Sequence, residues 1–244
     1  MSETAQLLAE HWGFEPTEEL PGGWCSHVYA DSTKVLKCPW RGEEQTSGYR
    51  AAIAMAGWGG PEVFESDEAT GSILMSRVLP GRTLAQAGVL EEEAREIAAS
   101  LIQGQAGRVD PSGFPTLREY FRLQHSLLDH LLETSESRVF LHGDLHHYNI
   151  LQSDGPMPWV LIDPKGLSGD PAYEPIAFLR NLTERFPTVP ELLPLINDRL
   201  DFFSGRLGFD RWRMAAWGLI DQLDSGEDRS LTLVEVYEEI VAMK

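Results

Sequence analysis

The apolar pattern changes period near residues 77–80, and this limits the folds open to the chain. Before that point the sequence reads as short β-rich runs: HVYA, KVLKC, PEVFES and GSILMSRV. The first two flank the turn residues Asp31-Ser32-Thr33 and follow Pro21-Gly22-Gly23, which predicts a hairpin opened by a glycine pair. Leu7, Leu8 and Trp12 fall at helical spacing within residues 2–12, and residues 43–56 are helix-like despite Gly48. After Pro80-Gly81 a 3.6-residue period takes over. Leu90, Ala94, Ile97, Ala98, Leu101 and Ile102 share one stripe. A helix over 116–133 is predicted from the capping box Thr116-x-x-Glu119 and a stripe from Leu117 to Leu131. RVFLHGD and PWVLID are short β runs around a polar loop, and from Asp170 onward the pattern is mostly helical. The expected class is α+β, with a small β-rich N-terminal lobe over 1–78 and a larger helical lobe over 79–244.

Composition narrows the partners. A chain of 244 residues can bury a core without disulfides or a structural metal. Its net charge of −18 argues against nucleic acid or an anionic membrane as a partner and is compatible with a cationic ligand. Cys25 and Cys38 form neither a disulfide framework nor a zinc-finger spacing. The first twenty residues lack a basic and an apolar signal region, and no apolar run reaches the roughly 20 residues of a membrane span. A cytoplasmic protein is expected.

The stretch FLHGDLHHYNILQSDGPMPWVLIDPKG carries the chemistry. One β run delivers His142-Gly143-Asp144, Asn149 follows five positions later, and a second β run delivers Asp163. Phosphoryl transfer needs a carboxylate for the attacking hydroxyl, and an amide with a second carboxylate to hold Mg²⁺ against ATP phosphates. The histidines and Asp144 could instead suggest a zinc hydrolase. That reading leaves Asn149 and Asp163 without a task.

The segment resembles the catalytic and metal-binding loops of the aminoglycoside phosphotransferase family, within the protein-kinase-like fold. IDPKG followed by Gly169-Asp170-Pro171-Ala172-Tyr173 is similar to its streptomycin 6-kinase and hydroxyurea phosphotransferase group. The resemblance implies that Asp144 is the catalytic base and that Asn149 and Asp163 hold Mg²⁺. It places Lys37 and the Gly22-Gly23 loop on the ATP phosphates, and the adenine-binding linker near Ser76 and Val78. His146 is expected at the γ-phosphate. His142 and Asp170 are expected to support the catalytic loop, and Asp170-Pro171 also reads as a helix start. Glu174, Asp221 and Asp224 are candidates for the acceptor side. The family's N-lobe helix normally supplies a glutamate to the strand lysine. Here the matching segment is Tyr49-Arg50-Ala51-Ala52, with Glu43 and Glu44 two turns earlier.

The resemblance therefore implies an ATP- and Mg²⁺-dependent kinase of a small cationic acceptor, an aminoglycoside such as streptomycin. A kinase of an amino sugar or amino alcohol metabolite, and a nucleotide-binding pseudokinase, are the alternatives. ATP is itself anionic, so a chain this acidic needs Lys37 and Mg²⁺ to hold it.

Overall fold

The computed structural model describes residues 1–21, 25–40 and 46–243. Ser2 caps the first helix, α1 (Glu3–His11), its hydroxyl accepting from the Ala5 N–H at 3.2 Å. The strands β1 (Glu18–Leu20), β2 (Ser26–Ala30), β3 (Lys34–Pro39), β4 (Val63–Asp67) and β5 (Ser72–Ser76) form an antiparallel sheet, ordered β1-β2-β3-β5-β4. Strand alternation divides it into two faces. The cross-strand row Tyr29, Leu36 and Leu74 is buried in one core with Ala5, Ala9, Phe14 and Cys38. The adjacent row Val28, Lys37 and Ile73 points to the opposite face.

Helix α2 (Ser47–Ala54) follows β3, and β6 (Pro80–Thr83) follows β5. β6 pairs with β8 (Ile150–Ser153), which pairs in turn with β9 (Trp159–Leu161). Leu84 N–H donates to Ile150 O, and Leu161 N–H to Gly59 O. These bonds define a compact unit of Met1–Ala87 and Tyr148–Gly166. It runs past residue 78 and takes back the segment carrying Asn149 and Asp163, because β6 finds its partner some seventy residues downstream.

Residues Gly88–His147 and Leu167–Lys244 form the second, mainly helical unit. It holds α3 (Glu91–Gln105), α4 (Leu117–Tyr120), α5 (Ser126–Glu133), α6 (Ile176–Arg180), α7 (Val189–Leu207), α8 (Arg211–Asp224) and α9 (Leu231–Ala242). A two-stranded ladder joins β7 (Val139–Leu141) to β10 (Leu167–Gly169). Trp217, Met214, Phe178, Phe203 and Tyr237 fill the core. The expected helix over 116–133 is two helices. Its capping box forms, but residues 121–125 are not helical. The Asp224 carboxylate accepts the Arg122 and Leu123 N–H groups at 2.9 and 2.6 Å, and the His125 ring caps α5 through the Leu127 N–H. Among the described residues no helix is long and apolar enough to cross a membrane.

Candidate active site

In the sheet-bearing unit, the face opposite α1 borders a cavity of about 710 Å³, within the range of small-ligand sites. Val28, Val35, Ile73 and Met75 line it with Leu151 and Leu161 of the hairpin. Lys37, Asn149 and Asp163 lie in the same wall. Lys37 Nζ donates to Asp163 Oδ1 at 2.8 Å, joining the hairpin lysine to a carboxylate 126 positions later. Asn149 is buried, and its carbonyl accepts the Ile162 N–H at 3.0 Å, which fixes the two loops together. Ser76 and Val78 also line the cavity, with the Ser76 hydroxyl accepting the Glu62 N–H. Gly22, Gly23, Glu43 and Glu44 lie outside the described residues.

The IDPKG segment is held by its backbone. Asp163 has φ +57°, a left-handed conformation that Asp tolerates better than most residues. The Ser47 hydroxyl at the start of α2 donates to Lys165 O at 2.8 Å. Gly166 has φ +68°, and a Cβ there would stand 2.4 Å from Ser47 O and 2.7 Å from Ala51 Cβ. Only glycine lets α2 approach this closely.

The helical unit carries Asp144. Arg180 Nη2, at the end of α6, donates to Asp144 Oδ1 at 3.2 Å, and His146 Nε2 lies 3.5 Å from Oδ2. Arg180 also pairs with Asp221 at 3.1 Å, and Tyr173 OH donates to that carboxylate at 3.1 Å. Burial opposes the guanidinium's charge, but Asp221 and Asp144 offset it and hold the Arg180 pKa above its ordinary value. Sequence reasoning missed Arg180. A lone arginine on a short helix has no spacing signature, and only the fold reveals its two carboxylates.

Two expected roles change hands. Glu174, an expected acceptor contact, is buried and accepts the His142 and Gly143 N–H groups at 3.1 and 3.2 Å and Gln105 Nε2 at 3.2 Å. It braces the loop before Asp144. Burial pushes its pKa up to about 7, against the pull of those three donors. Asp170, expected to brace that loop, instead caps the turn at Ala172, accepts Trp217 Nε1 at 2.7 Å and pairs with Arg213. Asp224 is likewise occupied by backbone, holding Arg122 and Leu123. Asp221 is buried behind Arg180, so it reaches Asp144 through that arginine. His142 is buried, its Nδ1 accepting the Asp144 N–H at 3.3 Å. His147 stacks on Phe178 with ring centroids 4.1 Å apart. Burial lowers its pKa to about 3, with Arg199 acting in the same direction.

Asn149 and Asp163 form a hard-oxygen pair on one cavity wall, which suits Mg²⁺ completed by phosphate oxygens. Among the described residues no group of three or more His, Cys, Asp or Glu could hold a metal ion, so the zinc-cluster geometry is not formed there.

Residues 116–228 match the model of the family described as aminoglycoside/hydroxyurea antibiotic resistance kinase. Streptomycin 6-kinase from Streptomyces griseus is 30% identical over 216 residues, covering 78% of this chain and 69% of that protein. An aminoglycoside phosphotransferase crystallised with ADP and hygromycin B superimposes with a TM-score of 0.61 at 18% identity, covering 99% of this chain and 98% of that one. Choline kinase from Streptococcus pneumoniae does so with a TM-score of 0.64 at 14% identity, again covering 99% and 98%. The fold is thus the α+β, protein-kinase-like one, shared by kinases of different acceptors. The chain belongs to the aminoglycoside/hydroxyurea antibiotic resistance kinase family.

Proposed function

We propose that the chain is an ATP- and Mg²⁺-dependent phosphotransferase acting on a hydroxyl of a small cationic acceptor, an aminoglycoside with streptomycin foremost. The observation that carries this is the Lys37–Asp163 ion pair beside Asn149 in the wall of one ligand-sized cavity. Lys37 supplies a fixed cation for the phosphates. Val28, Val35, Ile73 and Met75 offer apolar surface to the base, near Ser76 and Val78. The Gly22-Gly23 loop is assigned to the phosphates by the family resemblance. Asn149 and Asp163 are the residues that would hold Mg²⁺, which when bound neutralises charge developing on the phosphates.

Asp144 is assigned as the residue that orients the acceptor hydroxyl and takes its proton. The acceptor oxygen then forms its bond to the γ-phosphorus as the bond to the β-phosphate oxygen breaks, releasing ADP. Arg180 holds Asp144 Oδ1, and Oδ2, 3.5 Å from His146 Nε2, is the oxygen assigned to the hydroxyl. In this reading residues 1–78, with Asn149 and Asp163, serve the nucleotide and residues 79–244 serve the acceptor. A cytoplasmic location fits an enzyme that consumes ATP.

An ADP-release screen over streptomycin, other aminoglycosides, hydroxyurea and amino sugars tests the reading, with Asp144→Asn as the blank. The expected result is acceptor-dependent release from the native protein and a loss of at least about 100-fold in Asp144→Asn, with Mg-ATP binding retained. Full activity in that variant would remove the assignment. Nucleotide binding without release for any acceptor would favour the pseudokinase.

A further inference from the structure

Helix α6 has five residues, too few to hold its shape in water without outside partners. It nevertheless meets the Asp144 loop twice. The Phe178 ring stacks on His147 with centroids 4.1 Å apart, and Arg180 Nη2 donates to Asp144 Oδ1 at 3.2 Å. Whatever fixes this short helix therefore fixes the arginine on Asp144.

The last turn of a helix leaves carbonyls in need of donors. Arg199 of α7 serves them here. Its Nη1 donates to Phe178 O, Leu179 O and Asn181 O at 3.0, 2.8 and 2.9 Å, and its guanidinium carbon lies 5.1 Å from the Phe178 ring centroid. The Thr183 hydroxyl donates to Arg180 O at 2.9 Å. Arg199 is fully buried, and Glu91 at the start of α3 holds its other edge, accepting Nε at 2.7 Å and Nη2 at 3.1 Å. Just beyond α6, Leu182 takes φ +58°, a strained conformation for leucine that such a clamp can maintain. A neighbouring pair, Arg95 with Asp198, also ties α3 to α7 but among the described residues makes no hydrogen bond to α6.

We propose that Arg199, oriented by Glu91, is a positioning residue for phosphoryl transfer: it sets the end of α6 and, through Arg180, the rotamer of Asp144. The inference rests on the reading of Asp144 as the residue that takes the acceptor proton. Lysine would keep the charge, but one ammonium group cannot span the carbonyls of α6 and both oxygens of Glu91.

Steady-state kinetics of Arg199→Lys should show kcat lowered by about tenfold, with KM for Mg-ATP unchanged. Introduced into Arg180→Ala, the same change should cost less than about twofold more in kcat, although it lowers the urea midpoint equally in both backgrounds. A residue that only stabilises the fold would lower the midpoint and leave kcat alone, and that result overturns the proposal. So does a loss in kcat that multiplies with that of Arg180→Ala. Glu91→Gln should repeat the pattern on a smaller scale, about threefold, and decides alone if Arg199→Lys fails to fold. Asp198→Asn, which breaks the neighbouring pair, should leave kcat unchanged. If the native protein shows no acceptor-dependent ADP release, the reading of Asp144 fails by itself, and proton NMR then decides whether Arg199 sets Arg180. The Arg180 Nε–H signal, assigned by its absence from Arg180→Ala, should exchange with solvent at least about tenfold faster in Arg199→Lys and Glu91→Gln, and not in Asp198→Asn. Unchanged exchange in the first two overturns the link.

Discussion

Arg180 makes the position of the Asp144 carboxylate depend on a residue of another helix, because Asp221 of α8 holds Arg180 in turn. Removing the arginine frees Asp144 to leave its productive rotamer. We expect Arg180→Ala to lower kcat by roughly 10- to 100-fold, the scale of a small misplacement of a reacting group. Mg-ATP binding should be unchanged, and Arg180→Lys should recover part of the loss. Asp221→Asn should act through the same link, so the double variant should lose less than the product of the singles. Steady-state kinetics beside nucleotide titrations check both points.

Two buried groups give stability an unusual pH dependence. His147 is held neutral, with a folded pKa of about 3 below its ordinary 6.5. The unfolded chain takes up its proton first, so this group's contribution is lost as pH falls from 6.5 towards 3. Glu174 does the reverse. Its folded pKa of about 7 lies above the ordinary 4.5, so stability is lost as pH rises from 4.5 to 7. The two slopes oppose each other between pH 4.5 and 6.5. His147→Phe should leave stability falling with rising pH in that window, and Glu174→Gln should leave it falling with falling pH. Each slope should approach about 1.4 kcal/mol per pH unit in urea denaturation series. Equal slopes in both variants would contradict this account.

At the scale of elements, the IDPKG loop depends on its approach to α2. Gly166→Ala would drive a methyl group into the Ser47 carbonyl while keeping a left-handed φ. We expect a loss of about 2 kcal/mol or more and weaker Mg-ATP binding, since Asp163 lies three residues earlier. Denaturant melts and nucleotide titration measure the two effects. Much of this architecture was legible in the sequence. The HGD-x-x-x-x-N spacing and the second β run pointed to Asp144, Asn149 and Asp163 as candidates, and the fold brings the last two into one cavity wall. The interruption at 121–125 was not legible. Its cause is a carboxylate about a hundred residues away, and the local periodicity of 116–133 favours a continuous helix. Glu174 took the bracing expected of Asp170, and Asp170 went to the turn at Ala172, for the same reason: partners such as Trp217 and Arg213 come from distant parts of the chain.

At the scale of the whole molecule, a net charge of −18 attracts cations over a Debye length and repels free nucleotide. For a polycationic acceptor kcat/KM should fall as salt rises from 20 to 200 mM, by about tenfold, while a neutral acceptor such as hydroxyurea should show little change. Indifference to salt for both would leave the charge a matter of solubility alone.

The sheet-bearing unit is discontinuous, closed by Tyr148–Gly166 after an excursion through sixty residues of the other unit. During synthesis its first 87 residues emerge with β6 unpaired and with Lys37 lacking Asp163. The nascent chain must then wait several seconds, at ordinary elongation rates, for the hairpin that supplies both partners. The nucleotide wall is thus a late product of translation. A protein cut short between residues 87 and 148 would carry the lysine but neither of the proposed magnesium ligands.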